Sequence, residues 1–390
     1  MQDKRTMLLN WLYYRPVGHA VESFAAAADY YAPDKNLRVS VLLNSETPFE
    51  LAANCPWIHA AYPVNVDDVA EKGTGAQCLE AIPRVWDYVV TSERRFLTPH
   101  VYTGSMARCQ EVIDEFATAR MWKGIRGQVG EGIGPIPDCV PFAKFRMVPH
   151  DAAKRWVAAH ANRKPIFTVM LGGASGAFLY PRVETWISIL KALRQRFPAV
   201  CFAITGSTDS SARRNTTLKY SKQDVGEIVD KLGNAIDCYD IGIDSQLALL
   251  EASDLFVSAH TGFAFLAPCV GTPWLAVSGA HWPDPAYARN PFYSVLPTCP
   301  EYPCYTGMLP ECQSRKGRGE PVYCMDTALE SRIPEIVEGA ARCLDPTFDL
   351  AQAAQVYELQ AKAKGVKLER MYTLDMLRAH MLNTQDPSAT

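Results

Sequence analysis

The stretch DLFVSAHTGFAFLAPCVGTPWLAVSG, Asp254 to Gly279, decides how the chain is read. An apolar run meets the polar tripeptide His260-Thr261-Gly262. A second apolar run is broken by Gly271-Thr272-Pro273, and a third ends in Ser278-Gly279. A short apolar run that stops at a small-residue turn and gives way to a helix is the repeating piece of a parallel sheet. In such sheets ligands bind beyond the carboxyl ends of the strands. There Thr261 can offer a hydroxyl, and Gly262 and Phe263 backbone N–H groups, to a diphosphate. The same spacing also fits a plain tight turn.

Three further strand ends in the second half carry small residues: Gly172-Gly173-Ala174-Ser175-Gly176, Gly206-Ser207-Thr208, and Ile243-Asp244-Ser245 before a helix. Asp244 or Ser245 is the expected N-cap of that helix. Together with His260 they make a coherent ligand mouth. None has the G-x-x-x-x-G-K-[ST] or G-x-G-x-x-G pattern, which argues against a kinase-like enzyme or a dehydrogenase. The first half begins the same way. Thr6 to Tyr14 reads as a strand, Pro16 to His19 as a turn, AVESFAAAADYYA as a helix and LRVSVLLN as the next strand. The whole is α/β: two successive doubly wound, Rossmann-like halves. The expected divisions are 1–160, 161–350 and a C-terminal helical segment 351–390 with a disordered tail.

Composition sets outer bounds. The chain has 390 residues, a net charge of −3, 48% hydrophobic and 21% charged residues, which is ordinary for a globular protein and gives no sign of a nucleic-acid partner. The N-terminus shows neither a membrane helix nor a signal peptide, so a cytoplasmic protein is expected. Eight of the 12 cysteines lie scattered in apolar surroundings, as small hydrophobes of a reducing compartment. The other four, Cys299, Cys304, Cys312 and Cys324, could hold a structural zinc or iron ion. Their spacing lacks a tight C-x-x-C pair, and reduced thiols or disulfides formed on isolation fit it as well.

The order of motifs resembles glycosyltransferase family 9, the ADP-heptose:lipopolysaccharide heptosyltransferases and their relatives. The match is carried by Arg15-Pro16-Val17-Gly18-His19 at the first turn, by CPWIHAAYPVN from Cys55, by Ser258 to Pro273, and by Cys299 to Met325 before the segment from Ile333. It implies a GT-B fold, two Rossmann-like domains facing each other across a cleft with the C-terminal helix crossing back. It implies an inverting transfer from a nucleotide-sugar that requires no cofactor. The donor is expected on the second domain and a glycan, protein or natural-product acceptor on the first. Some relatives that glycosylate autotransporters bind iron through a cysteine cluster.

The departures are specific. His19 stands where the family has its proposed aspartate base. His260 replaces the aspartate of Asp-Thr-Gly, Phe265 a histidine, and Phe178 a lysine of the first donor loop. An ADP-heptose donor therefore does not follow. His19 remains a candidate base because imidazole titrates near neutrality, with Glu22 one turn later as orienter or alternative base; an exposed helix-start histidine has the same sequence. Arg15 could reach a diphosphate or serve as a surface ion-pair partner. Two other readings stay open: a GT-B-type sugar-nucleotide epimerase or phosphorylase, and a nucleotide-sugar-binding module that has lost catalysis.

Overall fold

The computed structural model describes residues 4–13, 17–92, 102–124, 145–162, 164–173, 179–208, 219–279, 291–299, 302–303 and 323–365. The chain divides into two compact units, 1–148 and 149–390.

The first unit is built on a parallel sheet of five strands, β1 (Thr6–Asn10), β2 (Arg38–Asn44), β3 (Ile58–Val64), β4 (Val85–Thr91) and β5 (Thr118–Gly124), in the order β3-β2-β1-β4-β5. Its helices are α1 (Val17–Tyr31), α2 (Val66–Lys72) and α3 (Gly104–Phe116). Strand β1 is apolar on both faces because helices cover both; Met7, Leu8 and Leu9 are fully buried. On one face Leu8, Leu12, Val89, Val112 and Ile113 form a single cluster that joins the sheet to α3.

The second unit has six parallel strands: β6 (Ile166–Met170), β7 (Cys201–Gly206), β8 (Ala235–Tyr239), β9 (Leu255–Ala259), β10 (Trp274–Val277) and β11 (Phe292–Val295). Their order is β11-β10-β9-β6-β7-β8. Counted within the unit this is 6-5-4-1-2-3, the doubly wound order, with its reversal between β6 and β9. The helices are α4 (Asp151–His160), α5 (Val183–Arg196), α6 (Lys222–Leu232), α7 (Ile243–Ala252), α8 (Leu266–Val270), α9 (Thr327–Glu330), α10 (Ile333–Leu344) and α11 (Leu350–Ala363). Helix α6 shows how local sequence sets an element. Ser221 and Asp224 close a capping box at its start, and Gly233 ends it in the left-handed conformation at φ 67°.

Several boundaries differ from the sequence reading. The division falls at 148/149 rather than 160/161, because α4 packs its Ala153 and Val157 against Ile166, Ala248 and Leu249 of the second unit. Helix α7 is capped by Gly242 at φ 81°, not by Asp244 or Ser245, which lie in its first turn. The segment after Thr261 forms a short 3-10 turn, Gly262–Phe265, before α8. The described part of the C-terminal segment, α11, lies on β11, with the Tyr357 and Phe292 rings 5.7 Å apart and Gln360 Nε2 donating to the Ser294 carbonyl at 2.8 Å. Cys109, Cys238 and Cys343 are buried, and burial pushes their thiols up to about 12, as expected of inert packing residues. Among the described residues no helix is long and apolar enough to cross a membrane.

Candidate active site

In the first unit the strand order reverses between β1 and β4, and the chain leaving β1 is clamped from three directions. Tyr102 donates to the Leu12 carbonyl at 3.0 Å, Gln110 of α3 to the same oxygen at 3.4 Å, and Asn44 at the end of β2 to the Tyr13 carbonyl at 3.2 Å. Helix α1 begins four residues later, with His19 in its first turn. The His19 Nδ1 lies 3.2 Å from Oε2 of Glu22, one turn along, and the Tyr13 ring meets the imidazole edge-on at 4.4 Å. Glu22 is 1% exposed and the His19 side chain 22%. A carboxylate so deeply buried requires a partner, and the imidazole supplies one. With Nδ1 donating to Glu22, Nε2 carries the lone pair and can take a proton. Of the two residues, Glu22 is the buried member of the pair and His19 the partly exposed one. Arg15 lies outside the described residues.

In the second unit β6 and β9 are hydrogen-bonded neighbours, so Gly172 and Gly173 come together with Thr261 at the reversal. The reason for the glycines differs from the expected one. A Cβ on Gly172 would lie 2.8 Å from the Tyr220 ring, and one on Gly173 2.9 Å from the Tyr180 hydroxyl and 3.1 Å from Thr261 Cβ. A Cβ on Gly206 would lie 2.6 Å from the Tyr239 ring. The close approach is made by the protein's own side chains. Thr261 is likewise buried, its hydroxyl 3.6 Å from the Met170 sulfur, so it faces the core rather than the mouth. The Phe263 ring packs 5.9 Å from Phe256 inside the fold. Gly262 and Phe263 nevertheless open the 3-10 turn, where the first N–H groups have no acceptor within the turn.

The remaining expected contacts separate. Asp244 is committed to His150, whose Nδ1 lies 3.0 Å from its Oδ2, an ion pair that ties α4 to α7. Ser245 is half-buried in the first turn of α7, Ser207 is half-buried beyond β7, and the half-buried His260 ring lies 6.4 Å from Phe265. Ser175 lies outside the described residues, as do Cys304 and Cys312. Cys299 and Cys324 are half-buried, and no group of three His, Cys, Asp or Glu side chains able to hold a metal occurs among the described residues.

Sequence reasoning missed the polar rim of this mouth. Asp240, in the left-handed region at φ 61°, accepts from the Thr208 N–H at 2.7 Å and the Thr208 hydroxyl at 2.8 Å. Gln246 donates to the Gly206 carbonyl at 2.8 Å. Partial burial acts to raise the Asp240 pKa, but the Thr208 hydrogen bonds and the Lys222 charge outweigh it and hold the carboxyl below its usual range. An Asp two residues before a glycine helix cap was a visible signal, since Asp tolerates left-handed backbone.

No protein-family model matches the sequence, and no curated protein matches it. Solved structures do. ADP-heptose LPS heptosyltransferase II of E. coli superposes over 86% of this chain and 99% of its own, with a TM-score of 0.54 at 12% identity. The glycosyl transferase family 9 protein of Veillonella parvula covers 88% and 98%, with a TM-score of 0.55 at 10% identity. At such identities what is shared is the fold, and the doubly wound sheets found here agree with it: the chain has the GT-B fold of these glycosyltransferases.

Proposed function

We propose that the protein is an inverting glycosyltransferase that moves a sugar from a nucleotide-diphosphate donor to an acceptor hydroxyl. The observation that carries this reading is the His19–Glu22 pair at the β1–α1 turn, on a fold shared with glycosyltransferases. In the reaction the acceptor O–H loses its proton to His19 Nε2 as its oxygen bonds the anomeric carbon. The bond from that carbon to the diphosphate breaks on the opposite face, and the diphosphate leaves with the electron pair. Glu22 holds the Nδ1 proton throughout and stabilises the imidazolium once it forms. The donor belongs to the second unit, where the N–H groups of Gly262 and Phe263 are available to the leaving diphosphate. The acceptor belongs to the first. The protein acts in the cytoplasm and needs no metal for transfer, so turnover survives a chelator.

The test is release of nucleoside diphosphate from ADP-, GDP-, UDP- and dTDP-sugars in the presence of an acceptor panel. With a working pair, His19→Ala should lower kcat by about 10²–10⁴-fold, the usual worth of a general base. Wild-type turnover in His19→Ala at saturating substrate would remove His19 from the mechanism, and donor binding with no turnover on any pair would favour a binding module.

A further inference from the structure

The two edges of the second sheet are closed by different means. In a parallel sheet alternate residues turn both backbone groups to one neighbour, and the residues between them turn theirs the other way. On β11 the inward positions are those of Pro291 and Val295, whose carbonyls accept from Trp274 and Ser278 at 3.1 Å each. Ser294 therefore turns its carbonyl to the outer edge, and Gln360 of α11 takes it at 2.8 Å. A helix covers that edge.

Strand β8 ends the sheet on the other side, and among the described residues no further strand pairs with it. The Asn234 carbonyl accepts from Phe202, and Asp240 donates to the Gly206 carbonyl, both at 3.0 Å. Even-numbered positions thus face β7, and Ala235, Asp237 and Tyr239 turn their N–H and carbonyl groups outward. At Tyr239 both groups are already taken. Its N–H donates to Asp237 Oδ1 at 2.8 Å, and its carbonyl accepts from Lys222 Nζ at 3.0 Å. Lys222, the first residue of α6, also donates to Asp237 Oδ2 at 3.1 Å and lies 3.7 Å from Asp240 Oδ2. Two carboxylates hold one lysine against the strand edge. The Lys222 and Asp237 side chains are 47% and 40% exposed, and an ion pair so open to water contributes little to folding. What sets it apart is its place on the outward groups of an edge strand.

We infer that Lys222 and Asp237 guard the β8 edge against a second copy of this chain. An open edge offers N–H and carbonyl groups that another strand can extend. The segment that fits is β8 itself, run antiparallel about a twofold axis. Centred on Asp237, such a pairing sets Ala235 of each copy opposite Tyr239 of the other. It needs the two Tyr239 groups that the guard occupies. It also brings the two Asp237 carboxylates directly opposite each other, where like charges repel. The guard thus blocks the edge both by occupation and by charge.

The experiment is sedimentation velocity on the full chain over a range of concentrations, with hydrogen exchange read at β8. Lys222→Met and Asp237→Ala together should make the protein self-associate about tenfold or more tightly than wild type, and each alone by less. The Ala235 and Asp237 amides should become protected as association proceeds. Lys231→Met removes the same charge from an exposed pair with Glu227 on the same helix, and should sediment as wild type does. Wild-type sedimentation of the double variant at the highest concentration would overturn the guard. So would association that leaves the two amides unprotected, equal association of Lys231→Met, or a wild type that already associates with those amides protected. A large fall in the melting temperature of the dilute double variant would overturn it too, by making the pair a folding contact.

Discussion

Asp240 concentrates two unusual features in one residue, a left-handed backbone and a carboxylate held below its ordinary pKa. Folding lowers that pKa, so the contribution to stability is complete above the titration of the unfolded carboxylate. It is lost as pH falls through the folded value. Asparagine tolerates the same backbone, so Asp240→Asn removes the charge without adding strain. Its melting temperature should fall below wild type at neutral pH and converge on it in acid. Asp240→Ala should be worse at every pH, by about 1–2 kcal/mol of backbone cost. A gap between Asn and wild type that widens in acid would contradict this account. The same residue shows what a sequence can carry. His19 and Glu22 were readable as a pair because helical spacing fixes their contact locally. Asp240 with Thr208 was not, because those partners meet only after strands distant in the chain are aligned.

At the scale of elements, strands were legible and the reasons for their glycines were not. Buried parallel strands declare themselves as apolar runs, as IFTVM of β6 and CFAITG of β7 do, with every residue buried. A glycine at a strand end, though, has the same sequence whether a ligand or a side chain fills the space above it. Gly206 is the register partner of Tyr239 on β8, and the missing Cβ makes room for that ring. Gly206→Ala should therefore destabilise by about 1–3 kcal/mol through overpacking. Adding Tyr239→Leu should return part of the loss, a positive coupling measurable by chemical denaturation in a double-mutant cycle. If the two changes simply add, the ring is not what holds the position as glycine. Strands β3 and β5 and helices α2 to α4 escaped the sequence reading. Strand β3 carries partly exposed residues and lies at a sheet edge, so its pattern lacks the fully apolar run of the central strands.

For the whole molecule, the proposed function divides two binding tasks between the two doubly wound units, and this is its most separable claim. The alternation of strands and helices was enough to give the class. The division itself was displaced because α4 begins two residues after Pro149 and packs against Ala248 and Leu249 of α7. If the second unit alone carries the nucleotide, changes in the first should leave its affinity untouched. The Kd of wild type and His19→Ala for a nucleoside diphosphate, measured by calorimetry, should agree within experimental error. The same ligand at about a hundred times its Kd should stabilise both proteins by about 2.7 kcal/mol, the linkage expected for one site on the folded state. Substitutions at the second mouth should act oppositely. Gly173→Val adds bulk where a Cβ already meets Tyr180 and Thr261, and should displace Thr261 and the turn that follows it. Binding should weaken there even under conditions where the variant remains folded. Loss of nucleotide binding in His19→Ala, or normal binding in folded Gly173→Val, would mean that the tasks are not divided between the units in this way.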